Sequence, residues 1–477
     1  MGSILIIAQF VISAIFIYAV ARLGAFPVKY LAVIVLIILL FAELVVTGLV
    51  LGRKRKFLRG ISCFLSILFM ICLSFGSAYA WKSDTFIKDV GTETEEKYSA
   101  AVIVSADSSY EKIEDLPGVR FAYVKEPVSV YVEECVREVK SMLGPMKAEH
   151  ADNVSDLADL LYEGKCDAII IDEATRAHVV ETHPDFEEKT RTIWALNVKH
   201  TIPKMGSEKD VTRESFNIYL LGSDSRTGVD SAAMNDVNMI VTVNPTTNQI
   251  LITSIPRDFY ISLASYNGSD KLSNIGVYGT EESIRTIEQF TGLTMDFYVK
   301  VGFDALVYMV DAIGGIDVES DTEFTAWTNP DVHIAKGVNH MDGVTALAYA
   351  RERYAYENGD IHRAQNQAQV MREIAWKAMS PALIVHYPDM LDALAKGMRT
   401  SMRDDQIRSL IRMQMNKMAN WDIRDFQMNG TDAMSKKCYS MPKTELYVMI
   451  PDQESVDSAL KLIQEFMNGE TEAVSDN

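Results

Sequence analysis

Six side chains in the C-terminal half have the chemistry and the spacing to converge on one anion: Arg257, Lys271, Arg351, Arg353, Arg363 and Gln367. Arg257 follows Pro256 directly after an apolar segment, at a strand exit, where α/β folds usually build their sites. Arg351 and Arg353 are two apart, so an extended backbone would point both to one side. Arg363 and Gln367 are four apart and would share a helix face. Because guanidinium groups bind phosphate bidentately, the set predicts a pyrophosphate site.

An alternative interpretation of the same residues is a solvated surface. In that case the arginines would pair with nearby acids such as Glu352 and Asp360 and bind no ligand. The residues alone leave both interpretations open.

Two aspartates could supply a metal site beside the anion. Asp224 ends the segment into which the predicted strand at 218–221 runs, and Asp236 precedes another strand at residues 239–243. Mg²⁺ prefers one or two carboxylates together with substrate phosphate oxygens, so the pair predicts a magnesium site. The alternative is that both aspartates serve as turn or cap residues.

Alternating apolar segments and helical periodicity provide the elements that would position these residues. We expect strands at 218–221, 239–243, 250–254, 297–301 and 349–353, possible strands at 421–428 and 445–450, and helices at 283–290, 303–312, 361–379 and 456–467. The pattern predicts an α/β fold, with an α-β-α catalytic domain over 210–470 built on a mixed sheet, a motif core at 216–385 and a disordered tail at 471–477.

Charge divides the chain of 477 residues into two unequal parts. The formal net charge of −19 argues against nucleic acid as the main partner, because duplex binding depends on phosphate neutralisation by Lys and Arg. Residues 1–81 nevertheless carry +6, which leaves −25 on the remainder. A short basic, apolar front end before a long acidic body predicts a membrane anchor followed by a water-soluble part.

Three apolar stretches, at 4–21, 30–51 and 60–81, are long enough to span a bilayer, so residues 1–81 are predicted to form three transmembrane helices. The loop at 53–59 holds five Lys and Arg residues. The positive-inside rule therefore places this loop and the N-terminus in the cytoplasm, and everything after about residue 82 outside it. The predicted localisation is the cell membrane, multi-pass.

The segment between anchor and catalytic domain is predicted to hold a linker at 82–97 and an accessory α/β module at 98–205. Strands at 101–104, 119–124 and 168–171 and a helix around Leu157 favour a small parallel sheet. The module is similar to one lobe of the extracellular solute-binding proteins. Cys135 and Cys166 either form a disulfide or stay as two buried thiols, and the sequence leaves this open.

Four ordered motifs carry a resemblance to a known family. They are Gly222-Ser223-Asp224-Ser225-Arg226, Ser254-Ile255-Pro256-Arg257-Asp258, Tyr349-Ala350-Arg351-Glu352-Arg353 and Gly359-Asp360-Ile361-His362-Arg363. The chain resembles the LytR-CpsA-Psr (LCP) family, and the three-span anchor with its accessory module looks most like the capsule-associated, CpsA-like branch. The family often has arginine where this chain has Met234 and Asn366.

The resemblance implies an extracytoplasmic enzyme of mainly Gram-positive bacteria that moves a glycopolymer, teichoic acid or capsular polysaccharide, from a polyprenyl-pyrophosphate carrier to peptidoglycan. It implies that Asp224 and Asp236 are Mg²⁺-associated and that the six residues named first bind pyrophosphate. Asp224, Asp236, Arg257 and Arg351 would be catalytic, and an apolar groove beside them would hold the lipid tail. We expect phosphoryl transfer; the alternatives are a lipid-pyrophosphate hydrolase and a non-enzymatic regulator that binds the lipid carrier.

Overall fold

The computed structural model describes residues 2–52, 55–90, 95–124, 129–202, 206–223, 228–357, 359–378, 397–435 and 437–470. The predicted tail at 471–477 and the predicted site residue Asp224 lie outside these ranges.

The N-terminal part consists of three helices, each long and apolar enough to cross a membrane: α1 (Gly2–Leu23), α2 (Val28–Leu51) and α3 (Lys56–Val90). The helix α3 extends nine residues beyond the predicted span, so residues 82–90 are helical and not linker. Packing explains the extension, because Phe86 and Ile87 are buried against Leu23 and Asp84 forms an ion pair with Lys88 one turn later.

The accessory module is a five-stranded sheet with helices on both faces. Its elements are β1 (Glu95–Ser105), β2 (Arg120–Val124), α4 (Val130–Leu143), β3 (Lys147–Ala151), α5 (Asp156–Tyr162), β4 (Ala168–Asp172), α6 (Arg176–Thr182), α7 (Phe186–Lys189) and β5 (Thr190–Thr201). The strand order is β3-β2-β4-β1-β5. The prediction of a parallel sheet is only partly right: β2 runs parallel to β3 and β4, whereas β1 runs antiparallel to β4 and β5.

Burial on both faces explains the apolar runs of the central strands. One face of β1 and β4 packs on α4, and the other packs on α5. Cys135 belongs to the first of these cores and Cys166 to the second, and both are free thiols. The sheet between them rules out the disulfide that the sequence left open.

The catalytic-domain region begins with β6 (Phe216–Ser223), β7 (Asn235–Asn244), β8 (Gln249–Ser254), β9 (Tyr260–Ser262), β10 (Ser269–Lys271), α8 (Leu272–Ile275), α9 (Thr280–Thr291), β11 (Phe297–Gly302) and α10 (Phe303–Ala312). It continues through β12 (Ile316–Ser320), β13 (Phe324–Thr325), β14 (His333–Ile334), β15 (Gly337–Met341), α11 (Gly343–Arg351), α12 (Gly359–Ala378), β16 (Met398–Thr400), α13 (Asp404–Lys417), β17 (Asp422–Gln427), β18 (Gly430–Ser435), β19 (Leu446–Pro451) and α14 (Gln453–Asn468).

A six-stranded mixed sheet, in the order β16-β11-β6-β7-β8-β17, forms the centre of this region. The pairs β6–β11 and β8–β17 are parallel, and the other neighbours are antiparallel. One face packs on α9 and α14, and the other packs on α12 and α13. The predicted α-β-α architecture with a mixed sheet is confirmed.

The predicted strand at 349–353 is wrong, because these residues end a helix. Asp342 caps α11 by accepting a hydrogen bond from the Thr345 amide at 2.8 Å, and α11 continues to Arg351. The buried carboxylate of Glu352 then accepts hydrogen bonds from the backbone amides of residues 353–355, which fixes the turn that follows.

Candidate functional site

The pairing of β7 with β8 brings Asp236 next to Arg257. Met239 of β7 pairs with Ser254 of β8, so the start of β7 and the exit of β8 share one edge of the sheet. There Arg257 Nη1 donates to Asp236 Oδ1 at 2.7 Å. The Arg257 side chain is only 13% exposed and that of Asp236 24%, so the pair is largely shielded from water yet reachable from one side.

A second carboxylate, Asp258, joins the next cation to this pair. Lys271 at the end of β10 lies 2.5 Å from Asp258, and Arg257 Nε lies 3.5 Å from it. The backbone holds these residues in register, because the Ser273 amide donates to the Arg257 carbonyl at 2.8 Å. Asp258 is almost fully buried, so its charge requires these cations.

Two further arginines, Arg351 and Arg363, lie close enough to these aspartates to affect their ionisation. Burial raises the pKa of Asp236, but the charges of Arg257, Arg363 and Arg351 outweigh it and hold this pKa below its ordinary value. Burial likewise raises the pKa of Asp258, and Arg257, Lys271 and Arg363 lower it further than burial raises it. We call Arg257, Lys271, Arg351 and Arg363, with Asp236 and Asp258, the cation cluster. Its carboxylates are ionised at neutral pH.

A small apolar pocket adjoins the cluster on the side of Arg351 and Gln367. Both residues line it together with Leu220, Val237 and Phe303, and the Arg351 guanidinium lies 5.1 Å from the centre of the Phe303 ring. Arg363 and Gln367 both lie on α12, as the spacing predicted, and both are buried.

A larger apolar cavity, about 430 Å³, extends from this point towards the anchor. It lies between the sheet face formed by residues such as Met239 and Ile252 and the helices α12 and α13. Leu220 and Met371 line both the cavity and the small pocket. At the anchor side, Ala25 and Phe26 complete the wall.

The anchor is docked against the helix that covers this cavity. Arg408 of α13 pairs with Asp84 of α3 at 2.8 Å, and Lys29 Nζ donates to the Asn416 carbonyl at 3.0 Å. Arg412 donates to the Gly24 carbonyl. The connection between α1 and α2 therefore contributes directly to the cavity wall.

Comparison with known proteins identifies the family to which this chain belongs. A family model described as LytR_cpsA_psr family matches residues 173–455, more than half of the chain. The chain belongs to the LytR-CpsA-Psr family.

Curated relatives of this LytR-CpsA-Psr chain carry the name polyisoprenyl-teichoic acid–peptidoglycan teichoic acid transferase TagU. The protein from Bacillus mycoides is 35% identical over 208 residues, covering 43% of this chain and 67% of the relative. That from Bacillus anthracis is 34% identical over 224 residues, covering 47% and 72%. The solved structure of B. subtilis TagV has 23% identity and a TM-score of 0.45, covering 54% of this chain and 98% of TagV.

A second match concerns the accessory module of this LytR-CpsA-Psr chain. Residues 82–238 match a family model described as ABC transporter, phosphonate, periplasmic substrate-binding protein. The match agrees with the similarity to a solute-binding lobe that the sequence suggested.

The structure brings most of the predicted LytR-CpsA-Psr site residues together. Asp236, Arg257, Lys271, Arg351 and Arg363 meet in the cation cluster, and Gln367 lines the adjoining pocket. Glu352, which the surface alternative pairs with the arginines, accepts hydrogen bonds from the backbone amides of Arg353 and Tyr354. The roles assigned to the individual residues stay predictions.

Arg353 is the exception among the predicted cations. Its guanidinium donates to the Tyr354 hydroxyl at 2.5 Å and lies 4.7 Å from the centre of that ring. Within the ranges that the structure describes, no ion pair joins it to Asp236 or Asp258. The reason is the helix end at Arg351, which removes the strand geometry that would have aligned the two arginines.

Asp258 is the residue that the sequence reasoning missed. It ends the motif Ser254–Asp258, directly after Arg257, the predicted phosphate ligand. A carboxylate directly beside a predicted anion-binding arginine was the available signal, since a buried cation needs a partner before its ligand arrives.

Of the two predicted magnesium ligands, Asp236 lies within the described residues. Asp236 is ionised and partly exposed, which suits a hard cation that also takes phosphate oxygens. Asp224, the second predicted ligand, lies outside the described ranges. No group of three or more His, Cys, Asp or Glu side chains that could hold a metal occurs among the described residues.

Proposed function

We propose that this protein is a phosphotransferase that moves a glycopolymer from a polyprenyl-pyrophosphate carrier to peptidoglycan. The observation that carries the proposal is the meeting of the cation cluster with an apolar cavity about 430 Å³ in volume. A lipid pyrophosphate has this division into a dianionic headgroup and an apolar tail. The names of the TagU relatives support a polyisoprenyl-linked donor and a peptidoglycan acceptor.

The cation cluster would bind the pyrophosphate and stabilise the charge that develops on its oxygens. Arg257 and Arg351 stay cationic at any physiological pH and present several N–H donors each. Asp236 and Asp258 hold the Arg257 side chain in place before the donor arrives, so little reorganisation is needed in the transition state.

In the proposed step, a hydroxyl oxygen of the cell-wall glycan attacks the sugar-proximal phosphorus and forms a new P–O bond. The bond from that phosphorus to the bridging oxygen breaks, and polyprenyl phosphate leaves. The hydroxyl proton passes to one of the two aspartates, Asp224 or Asp236; the ion pair with Arg257 lowers the basicity of Asp236.

Magnesium belongs to the same proposal, with Asp224 and Asp236 as its protein ligands. When bound, Mg²⁺ would neutralise charge on the phosphate oxygens. The polymer is proposed to be of the teichoic acid or capsular polysaccharide type, and the CpsA-like branch remains a proposal based on the anchor and module.

The membrane topology is also proposed: N-terminus in the cytoplasm and catalytic domain outside. The charge of the 53–59 loop supports it. The docking of Lys29 and Gly24 on α13 supports the three spans themselves, because three spans place the loop between α1 and α2 on the same side of the membrane as the domain.

A reconstituted assay tests the proposal. The full chain in lipid nanodiscs would receive lipid-linked polymer, Mg²⁺ and peptidoglycan oligomers, and polymer attached to peptidoglycan would be quantified together with released polyprenyl phosphate. We expect attachment that requires the oligomers and that Arg351→Ala abolishes. Arg285→Ala is the matched control, since Arg285 is an exposed residue of α9 paired with Glu281.

Two other outcomes would reject phosphotransfer. Release of polyprenyl phosphate at the same rate without peptidoglycan would indicate a hydrolase. Tight donor binding without turnover would indicate a regulator of polymer synthesis.

A further inference from the structure

A second cavity, about 400 Å³, lies where the accessory module meets the catalytic domain. The module contributes Ser129 and Tyr131 at the start of α4, Asp172 at the end of β4, and His178 of α6. The catalytic domain closes the other side with three tyrosines, Tyr266, Tyr278 and Tyr439. We call this cavity the interdomain pocket. Its volume suits a small organic ligand.

The two walls of the interdomain pocket are held together by a buried junction. Glu96 of β1 pairs with Lys300 of β11 at 2.7 Å, and both side chains are nearly inaccessible to water. Glu96 also accepts hydrogen bonds from the Thr280 amide at 2.9 Å and from the Thr280 hydroxyl at 2.8 Å. The pocket is therefore a built feature of the chain.

Aromatic rings form the wall on the catalytic side. The rings of Tyr266, Tyr278 and Tyr439 contact one another, with centroids 4.9, 5.3 and 5.9 Å apart. Across the pocket, Tyr131 stacks on Tyr98 with centroids 4.0 Å apart. Tyrosine faces attract cations and also pack on the apolar faces of sugar rings.

Two buried polar side chains line the interior: His178, and Asp172, whose carboxylate accepts hydrogen bonds from the Ser129 hydroxyl and the Ala174 amide. Asp172 is 6% exposed, and burial raises its pKa to about 6, so its carboxylate is still mainly ionised at neutral pH. His178 is 4% exposed, and burial lowers its pKa to about 4, which keeps the ring neutral. Its Nε2 atom is buried and has no hydrogen-bond partner among the described residues. An unpaired buried polar atom is costly and indicates a missing partner.

The charged side chains of the lining favour a ligand with a positive charge. Among its described residues the lining contains two carboxylates, Asp172 and Glu134, and no lysine or arginine. Glu134 has the highly exposed Arg137 at 3.8 Å as its partner. Lys271 and Arg257 influence His178 from outside the lining and are themselves paired with Asp258 and Asp236. An anion would meet a desolvated carboxylate here, whereas a cation would be stabilised by it.

We propose that the interdomain pocket binds a small ligand with a cationic amine on a hydroxylated ring, of the amino-sugar class. The amine lies between the tyrosine faces and the Asp172 carboxylate, and a ring hydroxyl donates to or accepts from His178 Nε2. The proposal is independent of phosphotransfer at the cation cluster, because it concerns binding alone.

Binding is tested on the full chain in detergent by isothermal titration calorimetry at pH 7.5. The probes are glucosamine and galactosamine, with N-acetylglucosamine as the uncharged analogue and methylphosphonate as the anion. We expect at least one amino sugar to bind, the acetylated analogue to bind at least about tenfold more weakly, and methylphosphonate not to bind. Absence of binding by both amino sugars, or binding of methylphosphonate in their place, overturns the proposal.

Variants locate the binding in the interdomain pocket. Asp172→Asn is nearly isosteric and should weaken amino-sugar binding at least about tenfold. Tyr266→Leu provides a second test if the first variant folds poorly, because Tyr266 is 38% exposed and its loss should be tolerated. The matched control is Asp107→Asn, an exposed aspartate of the same module that does not line the pocket. Unchanged affinity in both pocket variants would contradict the assignment.

Discussion

The buried ion pair between Glu96 and Lys300 decides how firmly the accessory module is held on the catalytic domain. The side chains are 2% and 6% exposed, and the Nζ–Oε1 distance is 2.7 Å. Burial raises the pKa of Glu96, but Lys300 and the two hydrogen bonds from Thr280 lower it more, so the carboxylate is ionised. Glu96→Gln would leave the ammonium group of Lys300 buried without its counter-charge.

Loss of one partner of a buried pair costs about 3–5 kcal/mol, because the remaining charge has no compensation. At the lower end of this range, local opening of the junction should become roughly a hundredfold more frequent. The assay is native-state hydrogen exchange of the amides of Lys97 and Ala232, whose hydrogen bonds cross the junction. Both amides should exchange faster by that factor in Glu96→Gln and in Lys300→Met.

The double variant separates the ion pair from general damage. With Glu96→Gln and Lys300→Met combined, no unpaired charge stays buried, so the acceleration should be well below the product of the two single effects. Glu95→Gln is the neighbouring control: Glu95 pairs with Lys199 at 2.5 Å, but the side chains are 49% and 62% exposed, so the expected change is within about 1 kcal/mol. Two results would refute this reasoning. One is an equal acceleration of exchange in Glu95→Gln and Glu96→Gln, and the other is an acceleration in the double variant that equals the product of the two single accelerations.

Three further predictions concern the candidate sites. Burial raises the pKa of Asp172 to about 6 in the folded state, so ionisation of this carboxylate lowers the free energy of unfolding increasingly from about pH 4 to pH 6, and by the full amount above pH 6. Asp172→Asn removes this penalty, so its free energy of unfolding at pH 7.5 should exceed that of the parent by up to roughly 3 kcal/mol. The difference should disappear towards pH 4, as measured by urea titrations. Arg257→Lys keeps the charge but loses the bidentate geometry, so transfer should fall by about tenfold to a hundredfold, and further in Arg257→Ala, while Arg285→Ala transfers normally. Ala25→Trp would narrow the cavity beside the anchor and should raise KM for a long-chain polyprenyl donor but not for a short-chain analogue. Val28→Trp, at an 81% exposed position, is the control and should leave KM for both donors unchanged.

The sequence predicts the central elements of the catalytic domain well, because their periodicity matches their burial. The strand β8 is buried along its whole length and has an apolar centre at residues 250–252, so its end before Pro256 and the place of Arg257 just beyond it are predictable. Likewise, Arg363 and Gln367 follow a helical spacing that α12 confirms.

The wrong predictions concern the type of one element and the direction of one strand. The spacing of Arg351 and Arg353 was interpreted as a strand, yet Asp342 caps a helix that reaches Arg351. The Asp342 cap and the helix-compatible segment after it were a competing signal. The antiparallel direction of β1 was not predictable, because direction depends on chain connections and not on the composition of a strand. The convergence of Lys271 on Asp258 likewise depends on the β9–β10 hairpin, which is tertiary information.

The docking of the anchor on α13 has a physical consequence for the proposed donor. Each methylene group transferred from the bilayer into water costs about 0.8 kcal/mol, so a polyprenyl tail with tens of carbons cannot cross an aqueous gap to reach a soluble enzyme. The apolar cavity would have to be continuous with the membrane interior. Ala25 and Phe26, between α1 and α2, line that cavity, while the Arg408–Asp84 pair holds α13 against the end of α3. For a lipid-linked substrate, the anchor is thus part of the binding site and not merely a tether, and the headgroup would remain at the cation cluster while the tail stays in apolar surroundings throughout.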